Sequence, residues 1–330
     1  MKKMILLLLA VAGVSCSSDS EGSNYTTYGT VSTIATNVFA TMQFPSALTM
    51  DANGNIYVAS FESRIIKKTD KNGIVTTFAG SGKYEDSDGV GETASFTTIS
   101  ALSTDSQGNV YVMGNNDGAV RKITPKGVVS TFLKKSDIGY GTMGIFIDKN
   151  DNMYLSTGPG ILKRTPAGVL TLLAGDPIDA SGARDGKGKE ARFSSAAFMA
   201  MDSKGVLYVK ENMGAKGIRK VTPDGVVTTL TVTVKKDGVD EIYTNLEDAQ
   251  GIAIDKNDNI YVSTEENNIL QITPDGKGTT MFGNERGYKD GPIKDALING
   301  IGRIEFDKNE DLVFIENRAN GINIRKISRK

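Results

Sequence analysis

The chain has no histidine, no tryptophan and one cysteine, Cys16, in 330 residues. The absence of imidazole removes His-ligated zinc, His general bases and the Ser-His-Asp hydrolytic triad together. A lone cysteine forbids an intrachain disulfide and a thiolate metal cluster. Without tryptophan, a sugar-stacking platform would fall to Tyr or Phe. An excess of one charge is also missing: 38 Lys and Arg against 39 Asp and Glu leave a net charge of -1. That balance argues against a nucleic-acid binder, which would need a dense basic face. No apolar run approaches the roughly 20 residues that a membrane-spanning helix needs, and no window carries a sustained helical period. What remains, 39% apolar and 23% charged residues, is the composition of a globular body.

The first residues read MKKMILLLLAVAGVSC. Lys2 and Lys3 precede an apolar run from Ile5 to Val14, the pattern of a secretory signal over residues 1–15. Cys16 stands directly behind Gly13-Val14-Ser15. This segment resembles the lipobox of bacterial lipoproteins, and the resemblance implies cleavage before Cys16 and lipidation of its thiol. Residues 16–28 are mostly small and polar, as suits a flexible tether. Asp19 and Glu21 resemble the export signal of surface-displayed lipoproteins in some Gram-negative phyla. The expected location is therefore the outer membrane, lipid-anchored and facing the cell surface.

The rest of the chain repeats itself. Asp, two or three turn residues, Asn or a similar residue and then apolar-Tyr-Val recur as DANGNIYV, DSQGNVYV, DKNDNMYL, DSKGVLYV, DKNDNIYV and the degenerate DKNEDLVF, beginning at Asp51, Asp105, Asp148, Asp202, Asp255 and Asp307. The intervals are 54, 43, 54, 53 and 52 residues. Each unit holds four β-branched, alternating segments separated by Asn-, Asp-, Gly- and Pro-bearing turns, which read as four antiparallel strands. Six sheets arranged around an axis bury their faces on one another and leave little edge exposed. The expected fold is all-β: one six-bladed β-propeller over residues 29–330. The last unit, ending INIRKISRK, lacks a fourth strand, and Gly29-Thr30-Val31-Ser32-Thr33-Ile34-Ala35 matches the missing one. Residues 30–35 are expected to pair with residues 322–327 and close the ring.

The Asp-x-x-Gly-Asn-x-Tyr-Val turn, the Arg-Lys-Ile-Thr-Pro strand and the Asp-Gly-x-Gly-x-x-Ala-x-Phe segment at Asp88 and Asp185, weaker at Asp290, resemble NHL repeats. Those repeats belong to propellers related to the gluconolactonase and TolB-like groups. The resemblance is specific for fold and poor for function. Lyases of this kind use His at the channel, so their mechanism has no carrier here. The lactonase group implies acidic and Asn side chains around a divalent metal at the channel mouth. At the matching positions stand Glu211, Glu316 and Glu265, with Asn115, Asn212 and Asn317. Two or three such carboxylates with asparagines suit a hard cation such as calcium, but the leading reading is hairpin-turn polarity at a solvated rim.

Four residues before each repeat Asp stand Ala47, Ala101, Gly144, Phe198, Gly251 and Arg303. Arg303 and Phe198 break the small-residue rule and are expected to reach the channel. Arg303 then either pairs with Glu316 in its own blade or clamps an anion at the mouth. The Asp-Lys-Asn-Asp-Asn segments are read as Asx turns rather than calcium loops, and the repeated tyrosines as inter-blade packing. The leading expectation is a non-catalytic scaffold that binds a protein, peptide or glycan across one face. Its variable loops are 80–97, 175–193, 234–248 and 283–300. The alternative is a metal-dependent lactonase or hydrolase at the channel mouth.

Overall fold

The computed structural model describes residues 28–39, 45–114, 118–138, 143–176, 178, 182–212, 217–244, 246, 249–264, 267–282, 285–318 and 321–330. The signal segment and Cys16 lie outside them, as do Asn115 and Glu265.

Antiparallel hairpins fold each repeat into one blade, and six sheets follow in chain order. The innermost strands are Pro45–Met50, Ala101–Thr104, Gly144–Ile147, Ala196–Met201, Gly251–Ile254 and Ile301–Phe306. Together they line a central channel. The repeat Asp ends each inner strand and shapes the turn. Asp51 Oδ1 accepts the backbone N–H groups of Asn53 and Asn55 at 2.9 Å, and Oδ2 accepts the Tyr57 hydroxyl at 3.1 Å. Asp105, Asp148, Asp202 and Asp255 repeat this, each taking the hydroxyl of its own Tyr. One carboxylate therefore satisfies two turn amides and a buried phenol, and the Asx-turn reading accounts for the motif.

Gly54, Gly108 and Gly205 occupy the left-handed position of three of these turns, while Asp151, Asp258 and Glu310 hold it in the others at φ 59, 64 and 65°. Those three side chains reach a neighbouring blade, where Ser106, Ser203 and Lys256 donate backbone N–H groups at 2.8, 2.8 and 3.1 Å. A backbone conformation costly for a residue with a Cβ is offset by a contact between blades.

The core consists of clusters between adjacent blades. Tyr57 and Phe78 of the first blade pack with Leu102 and Val112 of the second, and Tyr154 of the third with Leu207 and Val209 of the fourth. Tyr208 packs on the fifth blade and Tyr261 on the sixth.

The ring closes as its repeat count requires. Tyr28–Phe39 is the outer strand of the sixth blade, antiparallel to Gly321–Arg329, with Val31 opposite Ile327 and Thr33 opposite Arg325. It begins at Tyr28, one residue inside the stretch read as tether. Tyr28 and Val31 pack toward the fifth blade, whereas Ala35, Val38 and Phe39 pack toward the first.

Two departures from four strands per blade stand out. The segments at Gly89–Val90, Gly186–Lys187 and Gly291–Pro292 add a short outer strand to the second, fourth and sixth blades. Part of the region 234–248, expected as loop, is a β-hairpin (Thr233–Lys236, Val239–Ile242) that extends the fifth blade through a parallel contact.

Removing the closing strand exposes the inner faces of two interfaces. Buried aliphatic and aromatic side chains contribute about 1.5–3 kcal/mol each, and a domain of this size loses a few degrees per kcal/mol. Deleting residues 28–39 is expected to lower the melting temperature by at least about 10 °C, as followed by circular dichroism. An unchanged melting curve would show that the ring does not depend on the strand.

Candidate functional site

Glu211 and Glu316 are not rim residues. They are 3% and 0% exposed, and each is held by an arginine of its own blade. Glu211 Oε2 accepts from Arg219 Nη1 at 3.0 Å, while Oε1 accepts the Ser194 N–H at 2.5 Å. Glu316 Oε1 accepts from Arg325 Nη1 and from the Asn299 N–H, both at 2.9 Å. The expected Glu316–Arg303 pair therefore does not form, because Arg325 on the adjacent strand is the nearer cation. Asn212 and Asn317 stay in their separate blades, their backbone N–H groups donating to Ser195 and Gly300. Asn317 also lines a recess of about 290 Å³ with Gln250, Thr264, Asn267 and Arg286. These residues do not converge, and among the described residues no group of three or more His, Cys, Asp or Glu side chains could hold a metal ion.

The same arginines explain the Asp-Gly segments. Arg219 Nη2 donates to Asp185 at 3.2 Å, and Asp185 accepts the Thr229 N–H at 3.0 Å. Arg325 Nη2 donates to Asp290 at 2.8 Å, and Asp290 accepts the Thr33 N–H at 2.9 Å. Arg121, Asp88 and Thr131 repeat the arrangement in the second blade. There Gly114 replaces the Glu, and Asp86 lies 3.6 Å from Arg121. An Arg-Asp-Thr staple thus fastens alternate blades, a pairing that the recurrence of Arg121, Arg219 and Arg325 in every second repeat makes readable.

The channel carries a different pair of charges. It encloses about 260 Å³ and is lined by the inner strands of all six blades. Arg303 crosses its upper end: Nε donates to the Ser46 carbonyl at 2.8 Å, Nη1 donates to the Gln250 carbonyl at 2.5 Å, and the guanidinium lies 3.8 Å from the Phe198 ring centroid. Contacts to the first, fifth and fourth blades fix its position, and the π face of Phe198 favours its charge. Burial lowers its pKa to about 9, so it remains a cation at neutral pH.

Glu305 lies two residues along the same strand. Positions four before each Asp, where Arg303 and Phe198 stand out, do not include it. Two before, the residues are Thr49, Ser103, Phe146, Ala200, Ala253 and Glu305, and the outlier is visible. Burial raises its pKa to about 8, opposed by hydrogen bonds from the Met50 N–H and the Thr49 hydroxyl. Near neutrality the channel therefore holds one fixed cation and one protonated carboxyl, with hydroxyls of Ser46, Thr49, Ser100 and Ser103 on its walls. A cation beside a neutral carboxyl and hydroxyls is a set chemically suited to an anionic, oxygen-bearing group.

No protein-family model and no curated protein matches the chain. Solved structures do. A protein of unknown function from Bacteroides thetaiotaomicron superposes with a TM-score of 0.66 at 14% identity, covering 92% of this chain and 76% of that one. A catalytically inactive histidine-to-alanine variant of virginiamycin B lyase from Staphylococcus aureus, with quinupristin, gives 0.58 at 15%, covering 90% and 98%. A gluconolactonase from Xanthomonas campestris gives 0.57 at 9%, covering 92% and 90%. At these identities the likeness is one of fold, that of a six-bladed propeller.

Two stability measurements test the site's electrostatics. Glu211→Gln or Arg219→Met alone should cost about 3–5 kcal/mol in urea unfolding, because a buried charge loses its partner, and the double variant should recover most of it. Glu305→Gln should stabilise. The unfolded carboxyl ionises near its ordinary value and the folded one at about 8. Wild-type stability therefore falls as pH rises between those values, and the Gln advantage should grow from about pH 5 to pH 8 and then level off. A pH-independent difference would contradict the assigned burial.

Proposed function

We propose that the chain is an exported lipoprotein, acylated on Cys16 and held at the outer membrane facing outward. Its propeller binds a carboxylate-bearing protein, peptide or glycan ligand without altering it chemically. The observation that carries this reading is the Arg303 guanidinium, fixed across the channel mouth by two backbone carbonyls and the Phe198 ring. A positioned cation that need not be reordered on binding favours recognition. Against turnover, the carboxylates that a metal-dependent lactonase would use at Glu211 and Glu316 are already committed to Arg219 and Arg325. The histidine whose replacement accompanies loss of activity in the virginiamycin B lyase variant has no counterpart in a chain without histidine.

Calorimetry with short peptides and hexuronates, each paired with its carboxamide, tests the recognition. The acids should bind and the amides should not, and Arg303→Ala should weaken binding at least about tenfold. Affinity should also fall as pH rises through about 8, where Glu305 ionises beside the anion. Unaltered binding by Arg303→Ala would overturn the clamp. Intact mass of the mature protein tests the anchor: acyl chains on Cys16 are expected, and an unmodified thiol would overturn it.

A further inference from the structure

The recess between the fifth and sixth blades lies on the face of the ring opposite the Asp turns. Antiparallel register sets Gly251 against Ser263 and Ile301 against Glu316. Gln250 and Gly300, which precede two inner strands, therefore stand beside Thr264 and Asn317, which follow Ser263 and Glu316 on the second strands. Asn267 Oδ1 accepts the Gly300 N–H at 2.6 Å and joins the two blades there. The recess adjoins the channel mouth, because Arg303 Nη1 donates to the carbonyl of Gln250, one of its lining residues.

Among the described residues, the recess is lined by Gln250, Thr264, Asn267, Arg286 and Asn317, with Gly300 and Ile301, and no carboxylate is among them. Asn267 is 7% exposed, and while its Oδ1 is bonded, its Nδ2 has no acceptor. A buried donor left unmatched costs free energy. The residue also holds the left-handed conformation, at φ 57°, and strain of that kind gathers at ligand sites. Arg286 is exposed, and among the described residues its guanidinium makes no hydrogen bond or ion pair. Its sequence neighbour Glu285 lines a separate depression with Lys289 and Lys294. One cavity of about 290 Å³ thus gathers a cation with five donors, an amide lacking an acceptor and two further amides.

We propose that this recess is a second subsite for an acidic glycan, holding the uronate next to the one whose carboxylate meets Arg303. The inference rests on the Arg303 clamp proposed above and extends it outward between two blades. A uronate carries its carboxylate and its hydroxyls on one rigid ring. Arg286 and Asn267 donate to the carboxylate, and the amides of Gln250 and Asn317, which both donate and accept, meet the hydroxyls. An acidic peptide suits the recess less. It would set methylene groups against polar walls and lose more rotamer freedom on binding. Two linked anions on two arginines bind tighter than one because the second contact is made within the same complex.

The test is calorimetry of the full chain with galacturonic acid, its linked trimer, the methyl-esterified trimer and triglutamate. The trimer should bind at least about tenfold tighter than the monomer, and the esterified trimer should lose that gain. Arg286→Ala, a change at an exposed side chain, should bring the trimer down to the affinity of the monomer. Asn267→Asp keeps the oxygen that holds Gly300 and replaces the donor with a repelling oxygen, so it should do the same. A monomer that needs Arg303, with a trimer no tighter or a gain that survives both variants, overturns the recess and keeps the clamp. A trimer that needs Arg286 but not Arg303 keeps the recess and overturns the clamp. Triglutamate binding through Arg286 in place of the trimer overturns the glycan assignment. Absence of binding by monomer and trimer alike overturns the recess, and peptide acids that still need Arg303 would then keep the clamp alone.

Discussion

Everything in this molecule depends on a seam made without a covalent bond. A ring of sheets has no free interface only if its last blade contacts its first, and here that blade is assembled from both ends of the chain. Tyr28–Phe39 supplies its outer strand and Ile301–Arg329 the other three. Closing so long a loop costs entropy, although that cost grows only slowly with length. It is repaid by a ladder of backbone hydrogen bonds, by burial of Tyr28, Val31, Val38 and Phe39, and by the Asp290 carboxylate, which holds Thr33 on one side and Arg325 on the other. The seam uses the same staple as the second and fourth blades, so the ring is no weaker in design where the chain breaks.

The staples also decide what the channel can do. Buried Arg-carboxylate pairs contribute little net stability relative to apolar packing, but they penalise a wrong partner severely. In alternate blades they fix the approach of the Asp-Gly segment to its sheet. The cost is functional: Glu211 and Glu316, which in sequence look available to a metal, are consumed as structural counter-ions. Among the described residues, the charges that line the channel are Arg303 and Glu305, on one strand of one blade. Their environments drive both toward neutrality, yet only the carboxyl crosses physiological pH in doing so.

The repeat spacing, the Asx turns, the tyrosine packing and the closing strand were all legible in sequence, because each is local or periodic. Asp51 and Tyr57 lie six residues apart on one hairpin, and Gly29–Ala35 announces itself by matching Gly73–Ala79. What escaped was pairing across register. Glu316 sits opposite Asn323 and meets Arg325 diagonally, an adjacency between strands that its shared blade with Arg303 does not reveal. Glu305 is an outlier two residues before its repeat Asp, where the other repeats carry neutral residues. The hairpin at Thr233–Ile242 has no equivalent in the other repeats, and periodicity is silent about insertions. Cys16, Asn115 and Glu265 fall outside the described residues.

Hydrogen–deuterium exchange resolved along the amino-terminal strand tests the closure most directly. If the seam is part of the cooperative ring, the amides of Val31, Thr33 and Ala35 should exchange as slowly as those of Val129 and Val227, their counterparts in outer strands of other blades, and all should open together. Exchange of the amino-terminal strand at the rate of a free peptide, with the other five blades still protected, would show a ring that stands open and would remove the basis for a fixed channel mouth.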